Sequence, residues 1–352
     1  MSDDVSRDPA ARDSRSILDA VVASFAGAGV PDDLDSWSPT ELGVFARLRA
    51  GFIAAGAEQA RRMLSPDSWL QLGVAFADAA QARRFQSTAL LREAVEAWLA
   101  EGLIDGFFFM NKPPGMRLRF SVPGGGERME RRIVDLLERA RGEGLLARHE
   151  FGIYDQETHQ FGGAAGIDIF HRFSTCDSLA ILRFKELEAA AATTIDRSVL
   201  SLLAMNDLVA RVAEDSWEQW DVWCEMRLTG RLVDPDGDAA ADLREDLEDN
   251  RALLEPVLFR RQEIIDDLAP AEAAIVAATM RGNQSVADAL REAARARALG
   301  SSPRKILPFF IVFHWNRIGL GIDEQVAFTF FMFELLDPKR GSGRGPGRGR
   351  RP

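Results

Sequence analysis

The sequence predicts an α+β protein, with a mixed β-sheet layer in the first half packed with many helices, a largely helical second half and a helical N-terminal extension. Short segments that alternate apolar and polar residues, such as Met116–Phe120, are concentrated between residues 69 and 154, and helix-periodic segments separate them. Beyond Gly163 the apolar residues recur with helical spacing almost without interruption. Strands and helices in this order are typical of an α+β layer.

The chain is predicted to contain four segments. Residues 1–16 are polar and mixed in charge and are expected to be disordered, and residues 17–67 form the helical extension. In that extension, Ser38-Pro39-Thr40-Glu41 has the pattern of a helix cap. Residues 68–336 form the main domain. Residues 337–352 form a basic Gly/Arg tail that cannot pack a core and is expected to be disordered.

The main domain is predicted to begin with a strand, a helix, a strand pair, a helix and a strand. Lys112-Pro113-Pro114-Gly115 is predicted to turn between the paired strands, because the prolines remove ladder donors and glycine supplies a positive φ. The last ordered segment, Ser302–Leu336, is apolar enough on all sides to be buried. The predicted strands are 69–77, 106–110, 116–122 and 145–154, and the helices among them are 80–102 and 128–141.

Composition limits the possible partners and compartments. No apolar run approaches the roughly 20 residues that span a bilayer, so we expect a cytoplasmic protein without membrane contact. Cys176 and Cys224 have no CxxC or zinc spacing and are expected to be reduced and buried. Removing the six cations of residues 339–352 from the formal charge of −11 leaves −17 for residues 1–338, which makes nucleic acid an unlikely partner. The tail itself could solubilise the chain or contact RNA or an acidic partner.

Two polar clusters in the first half are candidate sites. In the strand Met116–Phe120, Arg117 and Arg119 share one face and need an anionic or strongly polar partner if the sheet is covered. The loop 154–163 holds the only tyrosine, Tyr154, and a dense group of ionisable and amide side chains. A plain strand-to-helix connection would explain this loop equally well.

Other polar residues have simpler explanations beside the functional one. Asp177 and Ser178 have the pattern of a helix N-cap, which we favour for them. His314, Asn316 and Arg317 interrupt an apolar helix, so they line a cavity or form a satisfied buried group. His149 and His171 are interpreted as structural. The sequence contains no nucleotide-binding or metal-binding motif, so if the protein is an enzyme we expect it to work by positioning and proton transfer, without a cofactor.

The order and spacing of several motifs resemble a known family. The segments FFF and PGMRLRF, then YDQETHQFGG, then the acidic-Ser pair, then HWNR near the C-terminus, are similar to the C-terminal elimination domain of lanthipeptide dehydratases. That domain also exists as stand-alone proteins in thiopeptide biosynthesis. The resemblance covers roughly residues 68–336, which it implies are a catalytic domain, and leaves the N-terminal helices and the basic tail outside.

Two departures from the family pattern favour one of its activities. Members that eliminate glutamate have an arginine at the position of Gln160 and a histidine at that of Val312, so the carboxylate clamp and the base for the α-proton are missing. The resemblance then implies a pyridine synthase. Such an enzyme joins two dehydroalanines of a modified precursor peptide by a formal aza-cycloaddition, with loss of water and the leader peptide. The remaining alternatives are a glutamate-eliminating subunit and a non-catalytic leader-binding subunit.

The resemblance also assigns roles and a partner. The partner is a ribosomally made precursor peptide, with a leader and a dehydrated, azole-containing core, and other enzymes of the pathway are further candidates. The expected catalytic residues bind carbonyls or transfer protons, and they are Arg117, Arg119, Tyr154, His159 and His314. The expected substrate-binding residues are Glu157, Gln160, Asp177, Ser178, Asn316 and Arg317. Four further arginines either bind acidic residues of the leader or are solvated on helix faces. They are Arg61, Arg62, Arg83 and Arg84.

Overall fold

The structure confirms the α+β class. It is a computed structural model that describes residues 14–25, 31, 33–64, 69–112, 115–123 and 127–341. Tertiary contacts divide the chain into two compact units, Met1–Asp67 and Ser68–Pro352.

The first unit consists of helices. Helix α1 spans Ser14–Phe25, a short 3₁₀ turn spans Leu34–Ser36, and helix α2 spans Pro39–Leu64. The predicted cap of α2 is present, since the Ser38 backbone N–H donates to Glu41 Oε2 at 2.7 Å and the Glu41 N–H donates to Ser38 Oγ at 3.3 Å. A small separate core holds the unit together, formed by Ile17, Val21, Trp37 and Phe45.

The second unit is built around four antiparallel strands, β1 (Trp69–Ala75), β2 (Gly106–Lys112), β3 (Gly115–Ser121) and β4 (Arg148–Gly152). They lie in the order β2-β3-β1-β4, and the described strands contain no parallel pair, so the sheet itself is not mixed in direction. Because β3 is interior, each of its residues has neighbours on both sides. Arg119 lies between Gln71 of β1 and Phe108 of β2.

Helices cover the sheet, and the predicted helix 80–102 is in fact two. Helix α3 spans Ala79–Ser87 and α4 spans Ala89–Ala100. Thr88 separates them because it adopts an extended conformation, from which its Oγ1 accepts a hydrogen bond from the Leu90 N–H. Helix α5 spans Glu127–Gly142, close to the prediction.

The long helix α6 (Ala164–Ala189) lies along the outer edge of β2 and satisfies its free backbone donors. The Phe107 N–H donates to Thr175 Oγ1 at 3.0 Å, and the Phe109 N–H donates to Ser178 Oγ at 3.4 Å. An edge strand needs such a cover in a stable fold. Ser178 is therefore a sheet-edge partner and not a helix N-cap.

The rest of the second unit is helical, as predicted, and α12 crosses it as a largely buried helix. No helix of the described ranges is both long and apolar enough to cross a membrane. The remaining helices are α7 (Arg197–Val212), α8 (Ser216–Glu225), α9 (Ala239–Phe259), α10 (Arg261–Asp266), α11 (Pro270–Arg295), α12 (Pro303–Ile318), α13 (Ile322–Leu335) and α14 (Pro338–Gly341), with a 3₁₀ turn at Met226–Thr229.

Some boundary predictions differ from the structure. Helix α1 begins at Ser14, inside the segment expected to be disordered, and α14 lies in the expected tail, while residues 1–13 and 342–352 are outside the described ranges. Pro113 and Pro114 are also outside them. Gly115 has no positive φ, since it belongs to β3, where a Cβ atom would lie 1.9 Å from the Val74 carbonyl oxygen.

The prediction that both cysteines are buried is wrong. Cys176 is exposed and Cys224 is partly exposed, although both are free thiols as expected. Cys176 is a residue of α6, and the buried side of this helix at that point is taken by Asp177 and Ser178.

The loop before α6 depends on Gly166, where a Cβ atom would lie 1.6 Å from the Phe161 carbonyl oxygen. We expect Gly166→Ala to destabilise the protein by about 1–3 kcal/mol, because the loop and the first turn of α6 must separate. Denaturant unfolding of the unmutated protein and the variant gives this difference in the free energy of unfolding. Gly142→Ala is the matched control, since nothing lies within 4 Å of the added methyl group. Equal stabilities of the two variants would contradict the close approach.

Candidate active site

Arg119 is the centre of the first polar cluster. It is only 8% exposed, and its Nε donates to Gln71 Oε1 at 2.8 Å. The guanidinium lies over two aromatic rings, 5.0 Å from the centroid of Phe108 and 4.2 Å from that of Tyr154. Burial lowers the pKa of Arg119 to about 10, and the charges of Arg117 and Arg317 act in the same direction. Arg119 therefore remains a cation at neutral pH.

Tyr154 and His171 form a neutral pair beside this cation. The Tyr154 hydroxyl lies 2.9 Å from Nε2 of His171, a residue of α6. Burial raises the pKa of Tyr154 to about 12, while burial and the charge of Arg119 lower the pKa of His171 to about 3. Both groups are thus uncharged over the physiological range. Trp69 covers the imidazole, with ring centroids 4.3 Å apart.

A second polar cluster lies on α6 and α12 around the buried carboxylate of Asp177. Its Oδ1 lies 2.6 Å from Nδ1 of His314, and its Oδ2 accepts a hydrogen bond from Arg317 Nε at 2.7 Å. Burial alone would raise the pKa of Asp177, but the charges and hydrogen bonds of His314 and Arg317 outweigh it and lower this pKa. The expected N-cap role of Asp177 is wrong, because the residue lies inside α6 and bonds these two side chains.

His314 resembles the middle member of a catalytic triad, since its Nε2 lies 3.0 Å from Ser201 Oγ. Asp177, His314 and Ser201 are nevertheless 4%, 2% and 0% exposed. A substrate cannot reach a hydroxyl sealed in this way. The arrangement supports the fold, and it leaves both nitrogens of His314 occupied.

Arg317 brings the two clusters into electrostatic contact. It is fully buried, it contacts Met110 Sδ at 3.7 Å, and its charge contributes to the lowered pKa of Arg119. Within the described residues its Nη2 has no hydrogen-bond partner, and neither does Ser174 Oγ. Asn316 is half-buried, and its Oδ1 accepts from Gln325 Nε2 at 3.0 Å.

The loop between β4 and α6 carries a third group of predicted residues. Gln160 Nε2 donates to Glu157 Oε2. His159 and Gln160 line a cavity of about 420 Å³, whose wall includes Phe309 of α12. Phe309 is an aromatic residue of the cavity wall, and Phe161 packs against it with ring centroids 6.2 Å apart.

The remaining predicted residues lie elsewhere. Arg117 is exposed and lines a separate groove of about 190 Å³ on the sheet, together with Lys112 and Arg148. Arg83 and Arg84 are exposed on α3. Arg61 and Arg62 belong to α2, but their side chains lie outside the described part of the structure.

Sequence reasoning missed three members of the first cluster, His171, Gln71 and Trp69. The signal for His171 was available, because His171, Ser174 and Ser178 recur at the spacing of one helix face together with Asp177. The structure also shows no group of three or more His, Cys, Asp or Glu residues that could hold a metal ion among the residues it describes.

Comparison with known proteins identifies the family. Residues 69–335 match the family described as lantibiotic biosynthesis dehydratase C-term, and the chain belongs to it. No curated protein matches the sequence. Of the solved structures, the tRNA-dependent lantibiotic dehydratase MibB from Microbispora sp. 107891 has a similar fold, with a TM-score of 0.59 at 18% identity. The match covers 79% of this chain but only 28% of MibB.

Two further structures match over most of their own length with lower scores. TsrL is 15% identical with a TM-score of 0.48, and the match covers 78% of this chain and 95% of TsrL. The pyridine synthase TbtD from thiomuracin biosynthesis is 14% identical with a TM-score of 0.43, covering 78% of this chain and 99% of TbtD.

We expect Asp177→Asn to destabilise the protein by about 3–5 kcal/mol, since the variant leaves Arg317 as a buried charge without a counterion. Denaturant unfolding of both proteins gives the difference in free energy. Asp288→Asn is the control, because this carboxylate is exposed on α11, and its loss should change stability little. A similar small change in both variants would contradict the importance of the buried pair.

The pKa of His171 also predicts a pH dependence. The unfolded chain binds a proton at this imidazole near its ordinary pKa of 6.5, whereas the folded protein does so only near about 3. Stability should therefore fall as the pH decreases from about 6.5 towards 3, by up to about 1.4 kcal/mol per pH unit. In unfolding curves over this range, His171→Phe should lose that part of the slope. An unchanged slope would mean that His171 is not the group responsible.

Proposed function

We propose that the protein is a peptide-modifying enzyme, a thiopeptide pyridine synthase. It would join two dehydroalanines of a precursor peptide by a formal aza-cycloaddition and form the macrocycle with loss of water and the leader peptide. The substrate would be a ribosomally made precursor with a leader and a dehydrated, azole-containing core, modified in the cytoplasm by this and other enzymes of the pathway. The reaction would need no cofactor, since the two eliminations drive aromatisation.

The cluster of Arg119, Tyr154 and His171 is the observation that supports this chemistry. The diene half of the reaction requires an amide to become its iminol tautomer, which places a proton on the carbonyl oxygen and removes one from nitrogen. Tyr154, with a pKa of about 12, keeps its proton at neutral pH and can donate it to that oxygen. The positive charge of Arg119 lies 4.2 Å from the centroid of the Tyr154 ring. It would stabilise the charge that develops on the oxygen of the reacting amide.

The positions that would serve glutamate elimination carry unsuitable side chains. Val312 is 7% exposed and apolar, so it cannot accept an α-proton. Gln160 is uncharged, and its amide is bonded to Glu157, so it cannot form the two-pronged ion pair that an arginine makes with a carboxylate. Both departures favour the synthase over the glutamate-eliminating subunit.

The proposed residue roles follow the geometry. Arg119 and Tyr154 would act on the reacting amide, and His171 would hold the tyrosine hydroxyl. His159 and Gln160 would position the core peptide in their cavity, while Arg117 would contact the peptide at the neighbouring groove. The buried His314 and Arg317 and the half-buried Asn316 would act by holding α12 and α6. The N-terminal unit, with Arg61 and Arg62, is the proposed leader-binding part.

Incubation with a precursor peptide that contains two dehydroalanines tests the proposal by mass spectrometry. The predicted product has lost the leader peptide and one water. Tyr154→Phe should lower the rate of its formation by about a hundredfold or more, with little change in peptide affinity, because only the proton donor is removed. Trp217→Phe, at an exposed aromatic residue of α8, is the matched control and should react normally.

Two outcomes would overturn the proposal. Loss of glutamate from a glutamylated peptide, without ring formation, would identify the eliminating subunit. Binding of the precursor without any turnover would identify a leader-binding subunit.

A further inference from the structure

One edge of the sheet is uncovered. Helix α6 covers the outer edge of β2, whereas β4, at the other end of the sheet, pairs with β1 on one side and has no other described strand beside it. Four of the five residues of β4 are exposed. In antiparallel pairing, the backbone N–H and C=O groups of alternate residues point away from the partner strand. Every second residue of β4 therefore directs a donor and an acceptor to this edge, which another chain can use as a template.

The side chains on one face of β4 are apolar and open to solvent. Phe151 lies opposite the fully buried Leu72 of β1, so it continues the core face of the sheet to the edge, where the side chain is 51% exposed. Ile153 follows on the same face and is 91% exposed. An apolar side chain of an added strand would pack beside these two residues and extend the core.

The other face of β4 borders the groove that Arg117 lines. Arg148 and Glu150 lie on this face and line the groove together with Arg117 and Lys112. Three cations and one carboxylate leave an excess of two positive charges. Arg148 and Glu150 approach each other to 3.6 Å, so the excess belongs mainly to Lys112 and Arg117. Acidic side chains complement this face.

We propose that the edge of β4 binds an extended segment of the leader peptide as a fifth strand of the sheet. The identity of the peptide rests on the proposed function. The segment has an apolar side chain at every second position, beside Phe151 and Ile153, and acidic side chains on the face of the groove. It belongs to the unmodified leader, because an azole ring of the core carries no amide N–H and cannot continue a ladder of hydrogen bonds.

The position of the edge connects it to the proposed active site. Strand β4 ends at Gly152, two residues before Tyr154. Gln71 links the chain at this point to the buried cation, because its Nε2 donates to the Ile153 carbonyl at 2.9 Å and its Oε1 accepts from Arg119 at 2.8 Å. A leader held on β4 thus delivers the core that follows it to the neighbourhood of Tyr154.

A second copy of the chain fits this edge less well than an acidic peptide does. Antiparallel pairing of two β4 strands requires a two-fold axis normal to the sheet. That axis would place the two cationic grooves side by side on one face, where they repel each other. An acidic segment instead neutralises the groove.

Residue-resolved amide hydrogen exchange tests the proposal. The probes are the precursor peptide with its leader and the leader peptide alone. In the free protein, the N–H groups of β4 that face β1 should exchange slowly and the alternate ones fast. Either peptide, at a hundred times its Kd, should slow the fast set by about a hundredfold, because only the peptide-free fraction exchanges. This alternation is specific to a paired strand, since a peptide that merely covers β4 would shield all of its amides alike.

A substitution at the apolar face provides a second measurement. Phe151→Asp should weaken binding of the leader peptide by about tenfold or more, because it removes an apolar contact and adds a charge that repels acidic side chains. Phe259→Asp is the matched control, at a phenylalanine that is 59% exposed at the end of α9, and it should bind the peptide normally.

The outcomes separate this proposal from the proposed function. Uniform shielding, or unchanged exchange at residues 148–153, would overturn the docking of a strand, whether or not the peptide is cyclised. Slow exchange of the same amides without peptide, at high protein concentration alone, would overturn it in favour of a second copy. The alternating pattern without cyclisation would support the docking and contradict the proposed function. If Phe151→Asp does not fold, exchange in the unmutated protein decides.

Discussion

The ion pair of the Asp177 carboxylate with Arg317, joined by His314, is the interaction on which the rest of the structure depends. It connects α6 to α12 in a region where all three side chains are buried. Taking these charges out of water is costly, and only the mutual hydrogen bonds compensate for it. The same helix α6 carries His171 less than two turns earlier and covers the edge of β2, so its position determines where the imidazole meets Tyr154.

The sheet imposes the second constraint. An arginine in an interior strand is tolerated at position 119 because Gln71 accepts its hydrogen bond and two aromatic rings cover the guanidinium. This arrangement excludes water from one side of Tyr154, which raises the pKa of the phenol and lowers that of His171. The neutral state of Tyr154 and His171 beside the charged Arg119 therefore follows mainly from burial.

Local sequence patterns predicted the features of this fold that depend on neighbouring residues. The alternation in Met116–Phe120 correctly placed Arg119 on a face that needs polar partners, and the cap at Ser38 and Glu41 is present as expected. Patterns failed where distant segments meet. Asp177 was interpreted as an N-cap because its partners are 137 and 140 residues away in the sequence. His171 was interpreted as structural because its helical spacing with Ser174 and Ser178 does not reveal that Tyr154 lies beside it. The break between α3 and α4 at Thr88 was not predicted, because the apolar residues of both helices recur with the same helical spacing.

The proposed chemistry takes place at Tyr154, which lies between the charge of Arg119 and the imidazole of His171 in this member of the lantibiotic dehydratase C-terminal family. The most direct measurement is a crystal structure of the Tyr154→Phe variant with a linear peptide that contains two dehydroalanines. We expect the oxygen of the amide whose nitrogen enters the new ring to lie close to Arg119 and within hydrogen-bond reach of the position that the Tyr154 hydroxyl occupies in the unmutated protein. A peptide bound with both dehydroalanines far from residues 119 and 154 would contradict this expectation.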